Sequence, residues 1–214
     1  GTNSFDDAFN GINGITVTRS SNANVQSFSI RGASEVAGGG IGNRVLLLLD
    51  GRPAITLESG GALWNLVPLA AIERIEVIKG AYSSLYGSSA MGGIVNVITR
   101  TPDTASHSDL NLHYGAYGPA PAYTGYKRYN DFFGAEFITS RKLNKWSYLF
   151  NFAGKSNDGN REQSSFNLYN GYGKFKFDFS PNRSLQISAM YNDIFNDTPA
   201  TWLSTTEAYS VADY

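Results

Sequence analysis

The chain of 214 residues has no cysteine, so disulfides and thiolate metal sites are excluded. That absence suits a protein exposed to an oxidising periplasm. Charge is also scarce, at 16% of residues, where ordinary soluble domains carry roughly a quarter. The net charge of -1 leaves no concentrated basic face, which excludes nucleic acid as a partner. No apolar run reaches the roughly 20 residues that a membrane helix needs, which leaves a soluble protein or a β-barrel. No signal peptide opens the chain, and a start at Gly1-Thr2-Asn3-Ser4 reads as mature, trimmed or incomplete. What the sequence has in excess is aromatic: 14% of residues, including 13 Tyr and 13 Phe.

These aromatics separate two halves with different patterning. Up to about Pro102, short apolar segments alternate with glycine turns. Ser4 is placed to cap a short helix whose Phe5, Ala8, Phe9 and Ile12 share one face, and Gly11 ends it. Val45 to Leu49 is apolar at every position, the mark of a strand buried on both faces. Asp50-Gly51-Arg52-Pro53 follows as a turn, and Pro68 opens a helical turn from Leu69 to Ile72. Strands at Arg74 to Ile78 and Ile94 to Thr99 complete a small globular α/β unit.

Beyond it, a period of two takes over. Trp146, Tyr148, Phe150 and Phe152 alternate with Ser147, Leu149, Asn151 and Ala153. Phe175, Phe177 and Phe179 alternate with Lys174, Lys176 and Asp178, and Leu185, Ile187, Ala189 and Tyr191 with Ser184, Gln186, Ser188 and Asn192. Such alternation puts the aromatic set on one sheet face and the polar set on the other. Arg141 to Lys145 and Ser180 to Arg183 read as tight turns, Gly115 to Arg128 and Lys155 to Ser165 as long loops. Short turns on one side and long loops on the other describe a transmembrane barrel. A soluble antiparallel sandwich gives the same pattern, so these residues alone leave both readings open.

No catalytic constellation appears. Serines are plentiful, but no Gly-x-Ser-x-Gly elbow frames one. The glycine-rich stretch from Gly80 to Gly93 lacks the Gly-Lys-Ser/Thr of a phosphate loop and the Gly-x-Gly-x-x-Gly of a dinucleotide site. His107 and His113 are the only histidines and would share a strand face, but two imidazoles without a third ligand make a poor metal site. Neither a resident metal nor a cofactor is expected, and the chain does not read as an enzyme.

Four segments carry a family resemblance. They are Gly14-Ile15-Thr16-Val17, Ser29-Ile30-Arg31-Gly32, Arg44 to Gly51, and the run Ile72-Glu73-Arg74-Ile75-Glu76-Val77-Ile78-Lys79-Gly80-Ala81-Tyr82-Ser83-Ser84-Leu85-Tyr86-Gly87 that continues through Gly92-Gly93-Ile94-Val95-Asn96-Val97 to Arg100. In this order they resemble the plug domain of TonB-dependent outer-membrane receptors. The resemblance implies an α+β plug over residues 1–103, its N-terminal part missing. Residues 104–214 would then be the first strands, about five, of an antiparallel transmembrane β-barrel of 22 strands. Five strands cannot close a barrel, so the chain is read as a fragment of a plugged barrel.

The implied function is active import of a scarce nutrient across the outer membrane of a Gram-negative bacterium, gated by the plug. Gly80, where the glycan-importing branch commonly has Asp, favours a ferric siderophore or cobalamin-type ligand. The implied partners are outer-membrane lipid, that small-molecule ligand, and TonB with its inner-membrane energising complex. TonB contact would run through a segment outside this chain, since no TonB box is recognisable. A plugged receptor for signalling or adhesion without import is the alternative, followed by a soluble β-rich binding protein.

Family positions also suggest roles for single residues. Arg31 and Arg74 match arginines at the plug–barrel interface, with acidic wall partners expected beyond Tyr214. Glu73 and Glu76 either join that interface or neutralise the arginines within the plug, and both arginines also fit an ordinary surface role. Ligand-facing apices are expected at Ala33 to Asn43, Pro53 to Asn65 and Ala81 to Tyr86, with Trp64, Tyr82, Ser83 and Ser84 as candidate contacts. Trp64 and Tyr82 suit stacking on a ligand and suit packing against the wall equally. Gly32, Gly51, Gly80, Gly87, Gly92 and Gly93 are read as structural, admitting turns and close backbone approach.

Overall fold

The computed structural model describes residues 5–9, 11–19, 26–34, 44–55, 62, 64, 67–87, 90–102, 106–122, 126–197 and 210. The expected cap at Ser4, the apex at 35–43 and most of 56–66 lie outside these residues. The chain forms two compact units, residues 1–101 and 102–214.

The first unit opens with a 3-10 helix, Phe5–Phe9. Phe5 and Phe9 are buried as expected, but Ala8 and Ile12 are exposed. Strands β1 (Ile15–Arg19), β2 (Gln26–Ile30) and β3 (Ala33–Ser34) make an antiparallel sheet in that order. The second sheet is built from β4 (Val45–Leu49), β5 (Arg52–Pro53), β6 (Ile72–Lys79) and β7 (Gly93–Thr99). Its order is β5-β4-β7-β6, with β4 and β7 parallel. A 3-10 turn, Leu69–Ala71, leads into β6, and the short helix α1 (Ser83–Tyr86) follows it.

The apolar run in β4 is indeed buried on both sides. Val45 and Leu47 join a core with Phe5, Phe9, Phe28, Ile30 and Trp64, while Leu46 and Leu48 join a second core with Ala90 and Ile94. Aromatic packing dominates the first core. Phe28 stacks on Trp64 with ring centroids 4.0 Å apart and meets Phe9 edge-on at 5.1 Å. Burying each such side chain contributes about 1.5–3 kcal/mol.

The second unit is one five-stranded antiparallel meander in which each strand pairs with its sequence neighbours. It consists of β8 (His107–Ala116), β9 (Asp131–Leu143), β10 (Trp146–Asn157), β11 (Phe166–Ser180) and β12 (Arg183–Asn196). Two-residue turns at 144–145 and 181–182 close one end, and longer connections, 117–130 and 158–165, close the other. Among its described residues no second sheet packs against it, as a sandwich would require.

Candidate functional site

The Ile30-Arg31-Gly32 motif is a hairpin turn. Ile30 pairs with Ala33, so Arg31 and Gly32 form the two-residue loop, with φ of 52° and 82°. Two positive φ values are what a turn matched to strand twist demands, and glycine supplies one of them without strain. The Arg31 N–H donates to the Gly14 carbonyl at 2.8 Å, and the Arg31 side chain is exposed. Asp50-Gly51 repeats the device between β4 and β5, with φ of 50° and 77°.

A polar chain starts from that second turn and crosses β7 to β6. The carboxylate of Asp50 accepts from the Thr99 N–H and the Thr99 hydroxyl, both at 2.8 Å. Gly51 N–H donates to Asn96 Oδ1 at 3.2 Å, and Asn96 Nδ2 donates to Glu76 Oε2 at 3.2 Å. Arg74 closes the chain, pairing with Glu76 at 2.9 Å and Glu73 at 3.1 Å. These hydrogen-bonded carboxylates, Glu76 first, hold the guanidinium pKa above its ordinary value. Arg74 is thus neutralised by Glu73 and Glu76 inside its own strand, in the exposed setting where such pairs contribute little stability.

Trp64 is 2% exposed and stacks within the first core, so the assignment of Trp64 as a ligand contact is corrected. The indole stays inside because Phe5 and Phe28 present apolar faces to it. The 81–86 segment leaves β6 at the end of the sheet marked by Val45, Lys79 and Gly93. The Asp50–Pro53 turn projects from the opposite end, beside Thr99. Beyond Pro53 the chain turns back along β4, Ala54 N–H donating to the Leu47 carbonyl at 2.9 Å, and Ile55 and Tyr82 pack against the same second core. Tyr82 is half-buried against the second core, its N–H donating to the Ala90 carbonyl at 2.9 Å, while Ser84 is exposed. Ser83 begins α1, and nothing is described of its side chain.

Among the plug glycines expected to be structural, Gly93 is the one that close packing dictates. Its φ is 152°, and a Cβ there would meet the Ile78 carbonyl oxygen at 2.6 Å and Ile30 Cδ1 at 2.9 Å. Gly80 and Gly87 take positive φ too. Gly92 is buried, and its N–H donates to the Arg44 carbonyl at 2.6 Å.

The five-stranded wall has two unlike faces. Register pairing aligns Leu110, Phe137, Phe152, Gly171 and Tyr191 in one row, with Leu185, Phe177 and Trp146 in another row of the same face. Apart from half-buried Phe177, these large side chains are exposed: Leu110 60%, Phe152 56%, Tyr191 69%. The opposite face carries Glu136, Asn151, Asn170, Lys174 and Asn192, and of these Asn151, Asn170 and Lys174 are buried. Asn151 Nδ2 donates to Glu136 Oε1 at 3.1 Å, and Asn170 Nδ2 to Asn192 Oδ1. An exposed apolar face with a polar face behind it inverts the soluble pattern, and such a patch is a lipid- or partner-facing surface. The twelve residues of β10 run about 40 Å at about 3.4 Å each, which at a 45° tilt spans the roughly 25 Å apolar band of a membrane barrel.

At the long-loop end the two connections are stitched together. Asn130 Nδ2 donates to the Tyr126 hydroxyl and to the Gly159 carbonyl, both at 2.7 Å, and Tyr117 donates to Asn157 Oδ1 at 3.0 Å. Ser165 bonds the Asp197 carboxylate. The stitching frames a cleft of about 540 Å³ whose lining includes Arg128, Asp158, Arg161, Glu162 and Gln163. The sequence signal for it was weak, because Asn and Asp in loops ordinarily mark turns.

Comparison with known proteins supplies the frame for these features. Residues 1–94 match the family described as the TonB-dependent receptor plug domain. Residues 1–94 are a TonB-dependent receptor plug domain. The chain is 43% identical over 74 residues to the vitamin B12 transporter BtuB of Vibrio vulnificus, covering 35% of this chain and 12% of that protein. It is 40% identical over 101 residues to the iron-regulated outer membrane virulence protein of Vibrio cholerae, covering 44% of this chain and 14% of that one. The fold matches the unliganded ferric citrate transporter FecA with a TM-score of 0.75 at 19% identity, over 93% of this chain and 30% of FecA. The siderophore receptor PirA of Pseudomonas aeruginosa matches with a TM-score of 0.66 at 22% identity, over 92% of this chain and 31% of PirA. The chain therefore spans a small part of the receptors it matches, and it carries a plug followed by antiparallel strands of a transmembrane barrel. Its relatives are transporters and receptors of the outer membrane.

Proposed function

We propose that residues 1–103 are the plug and 104–214 the opening wall of an outer-membrane active transporter in a Gram-negative bacterium. It imports a scarce nutrient, a ferric siderophore or a cobalamin-type ligand. The observation that carries this reading is the joining, in one chain, of a plug-family sequence to a wall whose apolar face is the exposed one. Among relatives, the named vitamin B12 transporter and siderophore receptors point to the same ligand classes.

In this reading no covalent chemistry occurs. Short turns at 144–145 and 181–182 face the periplasm, and the long loops face outward. The loop-end cleft beside Arg128 and Arg161 meets the ligand first. Binding then alters the plug, and TonB, working through a segment outside this chain, draws on the inner-membrane proton gradient to open a path. The barrel blocks passive flow while the plug acts as gate.

Arg31 is assigned to the plug–barrel interface on the family position of its turn, and Arg74 shares that assignment with its strand-mates Glu73 and Glu76. An arginine in that interface needs an acidic partner, because an unpaired buried charge costs several kcal/mol. Arg31→Ala is expected to raise small-solute conductance through the full receptor in a planar bilayer, and unchanged conductance removes the interface role. For the function itself, ligand uptake is measured in cells with and without TonB. Uptake stops without TonB while surface binding persists. Undiminished uptake without TonB rules the transport mechanism out, and binding with no uptake in either strain favours a signalling or adhesion receptor.

A further inference from the structure

Several wall glycines lie directly opposite a ring on the neighbouring strand: Gly115 faces Phe132, Gly134 faces His113, Gly154 faces Tyr169 and Gly171 faces Phe152. These fall into two classes. A Cβ on Gly115 would lie 2.2 Å from Phe132 Cζ, and on Gly134 2.0 Å from His113 Cε1, so packing dictates glycine at both. At Gly154 the nearest ring atom is 3.6 Å away and at Gly171 3.8 Å, both ordinary contact, and neither backbone is in the left-handed region. Glycine weakens a strand interior, and nothing local requires it at these two positions.

What the pair leaves is a groove on the apolar face. Ala135, Gly154 and Gly171 form its floor, and Phe152, Tyr169 and Tyr191 rise around it, bounding about 540 Å³. The groove sits at mid-strand, Phe152 being the seventh of the twelve residues of β10.

We infer that this groove seats one acyl chain of the surrounding outer-membrane lipid. The inference deepens the transporter reading and rests on the wall being a membrane barrel. The groove is continuous with the face that meets lipid, and its depth puts it beside acyl chains and away from headgroups. Phe152 and Tyr191 stand two strands apart, about 9.6 Å between backbones, which is too narrow for a helix of about 10–12 Å but wide enough for a chain one methylene wide. Because lipid tails are as apolar as the groove, selection comes from shape and close contact, with no gain from leaving water.

The test uses the full-length receptor, extracted from outer membranes in mild detergent, supplied with palmitoyl-bearing phosphatidylethanolamine and weighed intact by native mass spectrometry. Wild type retains a lipid that survives mild activation. Gly154→Leu with Gly171→Leu fills the floor and lowers retention at least about tenfold, equivalent to 1.4 kcal/mol. Ala189→Leu, on the same face outside the groove, retains the lipid. Gly171→Ala, whose added methyl meets only ordinary contacts, gives a partial loss and guards against misfolding of the larger variant. Equal retention in wild type and both groove variants overturns the inference while leaving the barrel intact. A groove variant that releases a protein partner in place of lipid overturns it as well. Recovery of the receptor in the soluble fraction overturns the barrel reading and the inference with it.

Discussion

Phe28 and Phe152 are the same residue on strands of the same chain, yet Phe28 is 0% exposed and Phe152 56%. In the plug, apolar side chains such as Phe28, Trp64 and Leu47 converge on a core, and the ion pairs of Arg74 stay outside. In the wall the arrangement inverts: Asn151, Asn170 and Lys174 are buried while Phe152, Tyr169 and Tyr191 are exposed. Both units obey the same rule, which is to match each face to its solvent. For the plug that solvent is water, whereas the outer face of a barrel wall meets hydrocarbon. Burial therefore identifies the core of the first unit but would mislead if used to find a core in the second.

The sharpest way to break this comparison is at its largest expected effect. Trp64→Ala should cost about 3–5 kcal/mol of plug stability, as loss of a large buried ring does. Urea unfolding followed by a plug-specific probe reads it. If ligand affinity drops while the unfolding midpoint holds, Trp64 is a ligand contact and the plug core has been drawn wrongly.

The wall offers a paired test on neighbouring residues. Ile187→Arg, on the apolar face, should cost about 2–4 kcal/mol toward mid-membrane, whereas Gln186→Arg, one residue away on the polar face, should be near neutral. Folding of the full receptor into lipid vesicles at a series of denaturant concentrations gives both values. Equal costs would mean that the two faces share one solvent.

A smaller effect separates the two kinds of wall glycine. Gly134→Ala should cost about 1–3 kcal/mol, because the new methyl meets the His113 ring and overpacks the wall. Gly154→Ala, with ordinary contacts only, should unfold with wild-type behaviour. Thermal unfolding of the two variants side by side checks the distinction, and matching losses would erase it.

Much of this was legible before any coordinates. The run Val45 to Leu49 announced a doubly buried strand because every position was apolar. The alternation in Trp146 to Ala153 announced a two-faced sheet because the period of a strand is two. Among the described residues five strands follow the plug region, as anticipated. Trp64 was not legible. It sits in a stretch without periodicity, and only the convergence of Phe5 and Phe28 shows that its ring is inside.

The sequence by itself determined the family, the two-part organisation and the alternation of the wall, because each depends on residue order and period alone. Tertiary structure decided the rest. Parallel pairing of β4 with β7 sent the Asp50–Pro53 turn and the Tyr82 segment to opposite ends, and strand register brought Gly154 and Gly171 together beneath three rings. Which residues meet across a sheet depends on pairing between segments far apart in the chain, and local pattern carries no record of that register.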